Sequence, residues 1–373
     1  MIAIGLMSGT SLDGVDAALI SIEKGKFDLL KFITYSYPLK FKEKLKRNLS
    51  KDSALLNEIS SLNFELGHYF VSAIDELLKN TEFQYDDIDY VASHGQTIWH
   101  APDDIIPSTF QIGEVAVIVA KTNITCVSNF RVMDVACGGE GAPLVPISEY
   151  MLYSSKEKNI IMQNIGGIGN LTYLPKNPEL EDIIAFDTGP GNVMIDYFVN
   201  KYYKLPYDEA GIIAKSGKTI TLILEDMLKH DLFIKKVPPK STGRELYSSS
   251  FMEEMSRKYS FNKYKKEDII NTITEFTVQS IVFNYKKYIS NYDLVIVNGG
   301  GSHNKYIIQR LNEELENIVI TGDEFGINSD AKEAFAFAVL GYLCLNHKFG
   351  NVKQVTGANK DAILGSITYG RYK

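Results

Sequence analysis

Hydrophobic positions gather at the start of the chain in three runs, Ile2 to Met7, Val15 to Ile22 and Phe27 to Tyr37, separated by glycine-containing turns. Runs of that length and composition predict strands, so the chain is expected to open with a β-meander. From about Phe41 to Lys79 the spacing changes: Leu55, Leu56, Ile59, Leu62 and Leu66 recur as on one face of a helix, which predicts a long helical stretch. A short apolar run, Tyr90-Val91-Ala92, then predicts a buried strand ending in a polar loop, Ser93 to Thr97.

A similar order of elements returns later. The runs Ile160 to Met162, Leu171 to Leu174 and Ile183 to Phe186 predict three more strands, the first two joined by a glycine-rich turn, Asn164 to Asn170. Helical spacing follows at Val193 to Tyr203, Thr219 to Lys229 and Asp268 to Tyr288, then a buried strand at Leu294 to Val297 enters the loop Asn298 to Ser302. The halves share an architecture with almost no shared sequence. Such a duplication predicts two α/β lobes facing each other across a cleft, with glycine-rich turns projecting into it.

The chain length of 373 residues agrees with two cores rather than one. The longest apolar run, Ala334 to Leu345, is too short to span a bilayer and is expected to be a core helix. A net charge of -7 argues against a nucleic-acid partner but not against a nucleotide, which is held by backbone N–H groups and a metal. Cys126, Cys137 and Cys344 show neither disulfide nor zinc spacing. With no secretory leader at Met1-Ile2-Ala3-Ile4, a cytoplasmic setting is expected.

The first turn, Ser8 to Gly14, reads equally as a plain hairpin or as a phosphate clamp. Its two glycines can aim backbone N–H groups at an anion, Ser8, Thr10 and Ser11 add hydroxyls, and Asp13 can hold magnesium directly or through water. A Walker loop is excluded, because no Lys is present and a strand follows. The second turn is a structural bend or the matching clamp of the other lobe. Asp187, at the end of a strand and followed by Thr188-Gly189-Pro190-Gly191-Asn192, suits a general base, or else caps its own turn. His94 and His100 lack any metal spacing; His94 suits a hydrogen bond to a polyhydroxylated ligand or a structural role, and Trp99 a sugar face or the core. Lys240 to Glu245 offers a cation pair to an anionic group.

Together these segments resemble the anhydro-N-acetylmuramic acid kinase family. The resemblance is carried by Gly5 to Asp16, Ser93 to His100, Gln111 to Gly113, Gly138 to Pro146, Asn164 to Gly167, Phe186 to Asn192, Lys240 to Glu245, Gly299 to Ser302 and Val355 to Gly357, in family order. It implies two duplicated actin-like (ribonuclease H-like) lobes, each a mixed sheet flanked by helices, with an ATP cleft between them. Lobe I would comprise residues 1–135 and 336–373, and lobe II residues 136–335. The implied reaction opens the 1,6-anhydro ring of an amino sugar with water and phosphorylates O6 from ATP.

By motif position, Asp187 would be the catalytic base. Gly9, Thr10, Ser11, Leu12, Asp13, Gly14, Val15 and Asp16, with Gly166, Gly167, Gly299, Gly300 and Gly301, would bind ATP with Mg2+. His94, Gln96, Arg131 and Arg244 would stand near the sugar or phosphate. A homodimer without membrane association is also implied. Two positions depart from the family pattern, Asn129 in place of Asp and Glu140 in place of Gln, which suggests a relocated charge. The competing expectations are an actin-like kinase for a different sugar and a nucleotide-gated interaction protein.

Overall fold

In the computed structural model, residues 1–9, 12–243 and 245–370 are described. The strands are β1 (Ile2–Ser8), β2 (Gly14–Glu23), β3 (Lys26–Ser36), β4 (Tyr90–Ala101), β5 (Ser108–Ile112) and β6 (Cys126–Ser128). They are followed by β7 (Ile160–Ile165), β8 (Ile168–Leu174), β9 (Ile184–Pro190), β10 (Leu294–Asn298), β11 (Val319–Thr321) and β12 (Ser366–Thr368). The chain divides into two units, one of Met1–Leu152 together with the segment from Asp330 onward, the other Tyr153–Ser329.

The same five-strand pattern recurs in both units. In the first sheet β3, β2 and β1 form an antiparallel meander, and β4 then β6 extend it in parallel from β1; β12 closes that edge and β5 pairs with β4. In the second sheet β9, β8 and β7 form the meander, and β10 then β11 extend it in parallel. Each unit is therefore a mixed sheet with flanking helices, and the duplicated α/β architecture expected from the hydrophobic pattern is present.

Strand β1 is buried on both faces, and alternation of its side chains explains how. Ile4 and Leu6 join a core with Leu62, Leu66, Phe70 and Leu77 of the helix Leu56–Leu78. Gly5 faces the other way, against the helix Lys332–Leu345, where any Cβ would overlap the Ala334 carbonyl. That helix is apolar around its circumference, as a helix sunk in a core must be. In the second unit the helix Lys266–Tyr288 is buried along nearly its whole length. Two of its buried polar side chains hold β9 and the residue after it: Asn284 donates to Thr188 O at 2.9 Å, and Thr277 donates to Gly191 O at 2.9 Å.

Three local expectations are corrected. The stretch from Phe41 to Lys79 is two helices, Leu39–Arg47 and Leu56–Leu78. The break is held by Asn48, whose amide donates to Lys44 O and Glu58 while its oxygen accepts from Leu55 N. Ser93 to Thr97 is not a loop, because β4 continues through it, paired with β1 and then β5. The second turn is only Gly166 and Gly167, since β8 already begins at Ile168. Among the described residues no helix is long and apolar enough to cross a membrane.

Candidate functional site

The candidate residues of the first unit collect at the carboxyl ends of β1 and β6 and in the middle of β4. Of the β1–β2 turn, Gly9, Leu12, Asp13, Gly14, Val15 and Asp16 are described, while Thr10 and Ser11 lie outside the described residues. The turn is anchored at both ends. Leu12 N donates to Gly9 O, and Tyr37 N donates to Asp13 O. Ser8 Oγ is 2.8 Å from Tyr37 Oη and donates to Gln96 Oε1 at 2.7 Å. Gln96 is fully buried, so its amide ties β4 to the strand that delivers the turn.

Two carboxylates of this turn differ sharply in setting. Asp13 is exposed, with Lys42 Nζ 3.7 Å away. Asp16 is half-buried on β2 and accepts from Thr34 Oγ1 at 2.6 Å. Its carboxyl is pushed up to about 6, by burial first and then by the negative charges of Glu333, Asp330 and Asp13, against the lowering effect of Thr34. Nothing in the sequence spacing pointed to Asp330 and Glu333, which reach Asp16 only because the helix Lys332–Leu345 packs on the same sheet.

His94 and Arg131 form one buried unit. Arg131 Nε donates to His94 Nε2 at 2.9 Å, so the ring is neutral and its Nδ1 donates to Gly95 O at 2.9 Å. Phe337 packs on the ring, 4.6 Å between centroids. Burial, and then the Arg131 charge, hold the imidazole well below its ordinary range. Arg131 also donates to Gly141 O at 2.7 Å. Asp134 is fully buried and accepts from Gly141 N, Asn351 Nδ2 and Thr356 Oγ1, which fastens the Gly138–Gly141 loop to the Val355–Gly357 turn. Asn129 takes a left-handed backbone, φ 58°, at the start of the helix Phe130–Ala136, and Glu140 is exposed.

In the second unit Asp187 lies inside β9, opposite Asn170, rather than at a strand end. Its backbone N donates to Lys240 O at 3.0 Å, and its Oδ2 accepts from Thr242 N at 2.7 Å. The strand and the Lys240–Gly243 loop thus grip the carboxylate together. Arg244 lies outside the described residues.

Lys240 corrects the expectation of a free cation. It is 4% exposed, and Nζ donates to Ile234 O, Phe233 O and Asn284 Oδ1 at 2.8, 3.2 and 2.7 Å. The rings of Phe186, Phe233 and Tyr288 surround it at 5.2–5.6 Å. Burial pushes the ammonium down to about 8, partly offset by the Asp231 charge. Its side chain is an anchor for the loop that presents Thr242 N to Asp187.

Three backbone segments converge beside β9. Gly191 N and Val193 N donate to Gly167 O, and Asn192 N donates to Gly166 O. Gly299 has φ 78°, and Gly301 sits so close to Ile165 that a Cβ would run into it. Gly166 and Gly300 differ: a Cβ on either would have no heavy atom nearer than 3.6 Å. A cavity of about 490 Å3 opens here, lined by Asn192, Asp196, Tyr207, Gly300, His303 and Asn304. That size is within the range of small-molecule sites. The Asn298 amide, at the end of β10, has a buried Nδ2 with no hydrogen-bond partner among the described residues.

A family model described as anhydro-N-acetylmuramic acid kinase matches residues 1–370. The anhydro-N-acetylmuramic acid kinases of Clostridioides difficile (strain 630) and Bacillus thuringiensis subsp. konkukian (strain 97-27) are each 44% identical over 382 residues. The matches cover 99% of this chain, and 98% and 99% of those proteins. That of Bacillus cereus (strain 03BB102) is 44% identical over 378 residues, covering 98% of both chains. The chain belongs to the anhydro-N-acetylmuramic acid kinase family.

Proposed function

We propose that the chain is an ATP-dependent kinase that opens 1,6-anhydro-N-acetylmuramic acid with water and phosphorylates the released O6. Asp187 removes a proton from the water, whose oxygen bonds to C1 as the C1–O6 bond breaks. O6, carrying the electron pair of that bond, attacks the γ-phosphorus, and ADP departs. The products are N-acetylmuramic acid 6-phosphate, ADP and the proton left on Asp187, which passes to solvent. One base thereby drives both bond changes.

The observation that carries this reading is the carboxylate of Asp187, held by Thr242 N–H on a strand whose next residues are bonded to the Gly166–Gly167 hairpin. A base fixed beside a glycine-lined turn suits a nucleophile that must be oriented while phosphates approach backbone closely. Gly166, Gly167 and the first turn, Gly9 to Asp16, would receive the phosphates. Gly299, Gly300 and Gly301 would border the adenosine, for which the cavity at Gly300 and His303 has room. His94, Gln96, Arg131 and Arg244 would act on the sugar side, His94 and Gln96 chiefly by holding their neighbours.

Magnesium suits the first turn. Among the described residues no cluster of three or more His, Cys, Asp or Glu forms a metal cage, but this ion needs only one or two carboxylates plus phosphate oxygens. Asp13 is exposed in that turn, and a cation there would relieve the crowding of Asp16 by neighbouring carboxylates. Bound with ATP, the ion would offset phosphate charge. The reading carries with it a cytoplasmic location and a homodimer, the latter checked by sedimentation.

ADP release measured with the anhydro sugar, with open-ring N-acetylmuramic acid and with no sugar tests this function. The anhydro sugar alone should support turnover; sugar-independent ADP release would remove the kinase reading.

A further inference from the structure

Arg131 and Asp134 stand three residues apart on the helix Phe130–Ala136, so they share one of its faces. Two of the five guanidinium N–H donors are spent within the unit, Nε on His94 Nε2 and Nη1 on Gly141 O. Nη2 has no hydrogen-bond partner among the described residues, and it is not one of the unpaired polar atoms sealed away from solvent. It is therefore open to an incoming acceptor. The direction it takes is set by the two bonds behind it.

Of those two supports, Gly141 is itself held by Asp134. Its N–H donates to Asp134 Oδ2 at 2.8 Å while its carbonyl accepts from Arg131 at 2.7 Å, so one residue joins the carboxylate to the guanidinium. Asp134 Oδ1 accepts from Asn351 Nδ2 at 3.0 Å and Thr356 Oγ1 at 2.8 Å. Both oxygens are engaged, and an amide, with a single acceptor oxygen, could not serve all three donors in this arrangement. The loop closes over the carboxylate because residue 139 is glycine: a Cβ there would run into Oδ2. These three donors are neutral, so the charge of this fully buried group looks to Arg131 for its balance. Burial lowers the guanidinium below its ordinary range, and the charges of Glu333 and then Asp134 partly restore it.

We propose that Asp134 is a positioning residue for Arg131: through Gly141 it fixes the direction in which the guanidinium offers Nη2 to the substrate. The role rests on the kinase reading above, in which Arg131 acts on the sugar side. A residue that only braced the fold would have no bearing on what Arg131 does, and that difference is measurable.

Asp134→Asn should lower kcat/KM on the anhydro sugar roughly 30-fold, with ATP binding by calorimetry held within about twofold. In an Arg131→Ala background the same change should cost less than about threefold, because the group it acts through is gone. A loss of equal size in both backgrounds overturns the role. Thr356→Val, which leaves the carboxylate but removes one of its donors, carries the same comparison if Asp134→Asn fails to fold. A second readout needs no turnover. In protein labelled with nitrogen-15 at arginine and histidine, a scalar coupling across the hydrogen bond should join Arg131 Nε to His94 Nε2 in wild type and be lost in Asp134→Asn. Its absence from wild type, or its survival in the variant, overturns the role while leaving the kinase intact. Absence of turnover on any anhydro sugar removes the kinase reading, and the coupling then decides the part played by Asp134.

Discussion

The backbone N–H of Thr242 donates to the Asp187 carboxylate at 2.7 Å from a loop fifty-five residues further along the chain. The bond fixes one oxygen of the carboxylate and so sets where the other points. What fixes the loop is Lys240, two residues before Thr242, buried among Phe186, Phe233 and Tyr288.

Lys240→Met tests that anchor. The change keeps the stem but leaves Asn284 Oδ1 and two carbonyls without their donor. Stability in urea should fall by about 2–4 kcal/mol, and kcat should drop roughly 10–100-fold with KM changed far less, because the base is displaced rather than the sugar released. A variant with unchanged stability and kcat would show that Lys240 anchors nothing that matters.

Asp16→Asn separates charge from shape. The folded carboxyl titrates at about 6, above its ordinary value, so its charge costs stability at neutral pH. Wild type is thus spared that cost below about pH 4 and bears it fully above about pH 6. Asn retains an acceptor for Thr34. The variant should be about 1–2 kcal/mol more stable at pH 8, allowing for partial exposure, and equal to wild type near pH 4. Denaturation at the two pH values reads the difference; a gain that is the same at both would mean that charge is not its cause.

Gly300→Ala and Gly301→Ala should part company. At Gly301 a Cβ collides with Ile165, so stability should drop by about 1–3 kcal/mol. At Gly300 the nearest heavy atom is Asn192 Nδ2 at 3.6 Å, so stability should stay within about 0.5 kcal/mol. The cavity it lines would still narrow, and ATP binding measured by calorimetry should weaken several-fold. Unaltered ATP affinity in Gly300→Ala would move the nucleotide elsewhere.

Local patterning made the two meanders, the long helices and both glycine hairpins legible, because periods of two and 3.6 are written in neighbouring residues. The misread places depend on distant partners. Ser93, His94 and Gln96 look like a loop in isolation, yet pairing of β4 with β1 and β5 makes them strand. The loop lysine looks exposed until residues at 186, 233, 284 and 288 enclose it. Asp187 was legible as a candidate base from its turn, whereas its grip by Thr242 was not, since no spacing rule links residues so far apart. The acidic neighbours of Asp16 were hidden for the same reason.

In the proposed reaction Asp187 activates water for ring opening and phosphoryl transfer together. Its most direct test is Asp187→Asn supplied with ATP, magnesium and the anhydro sugar, with the sugar 6-phosphate followed by mass spectrometry and ATP binding by calorimetry. Product formation should be slowed by at least about 10^3-fold with ATP affinity retained, because only the base is removed. Sugar 6-phosphate formed within about tenfold of the wild-type rate would contradict it.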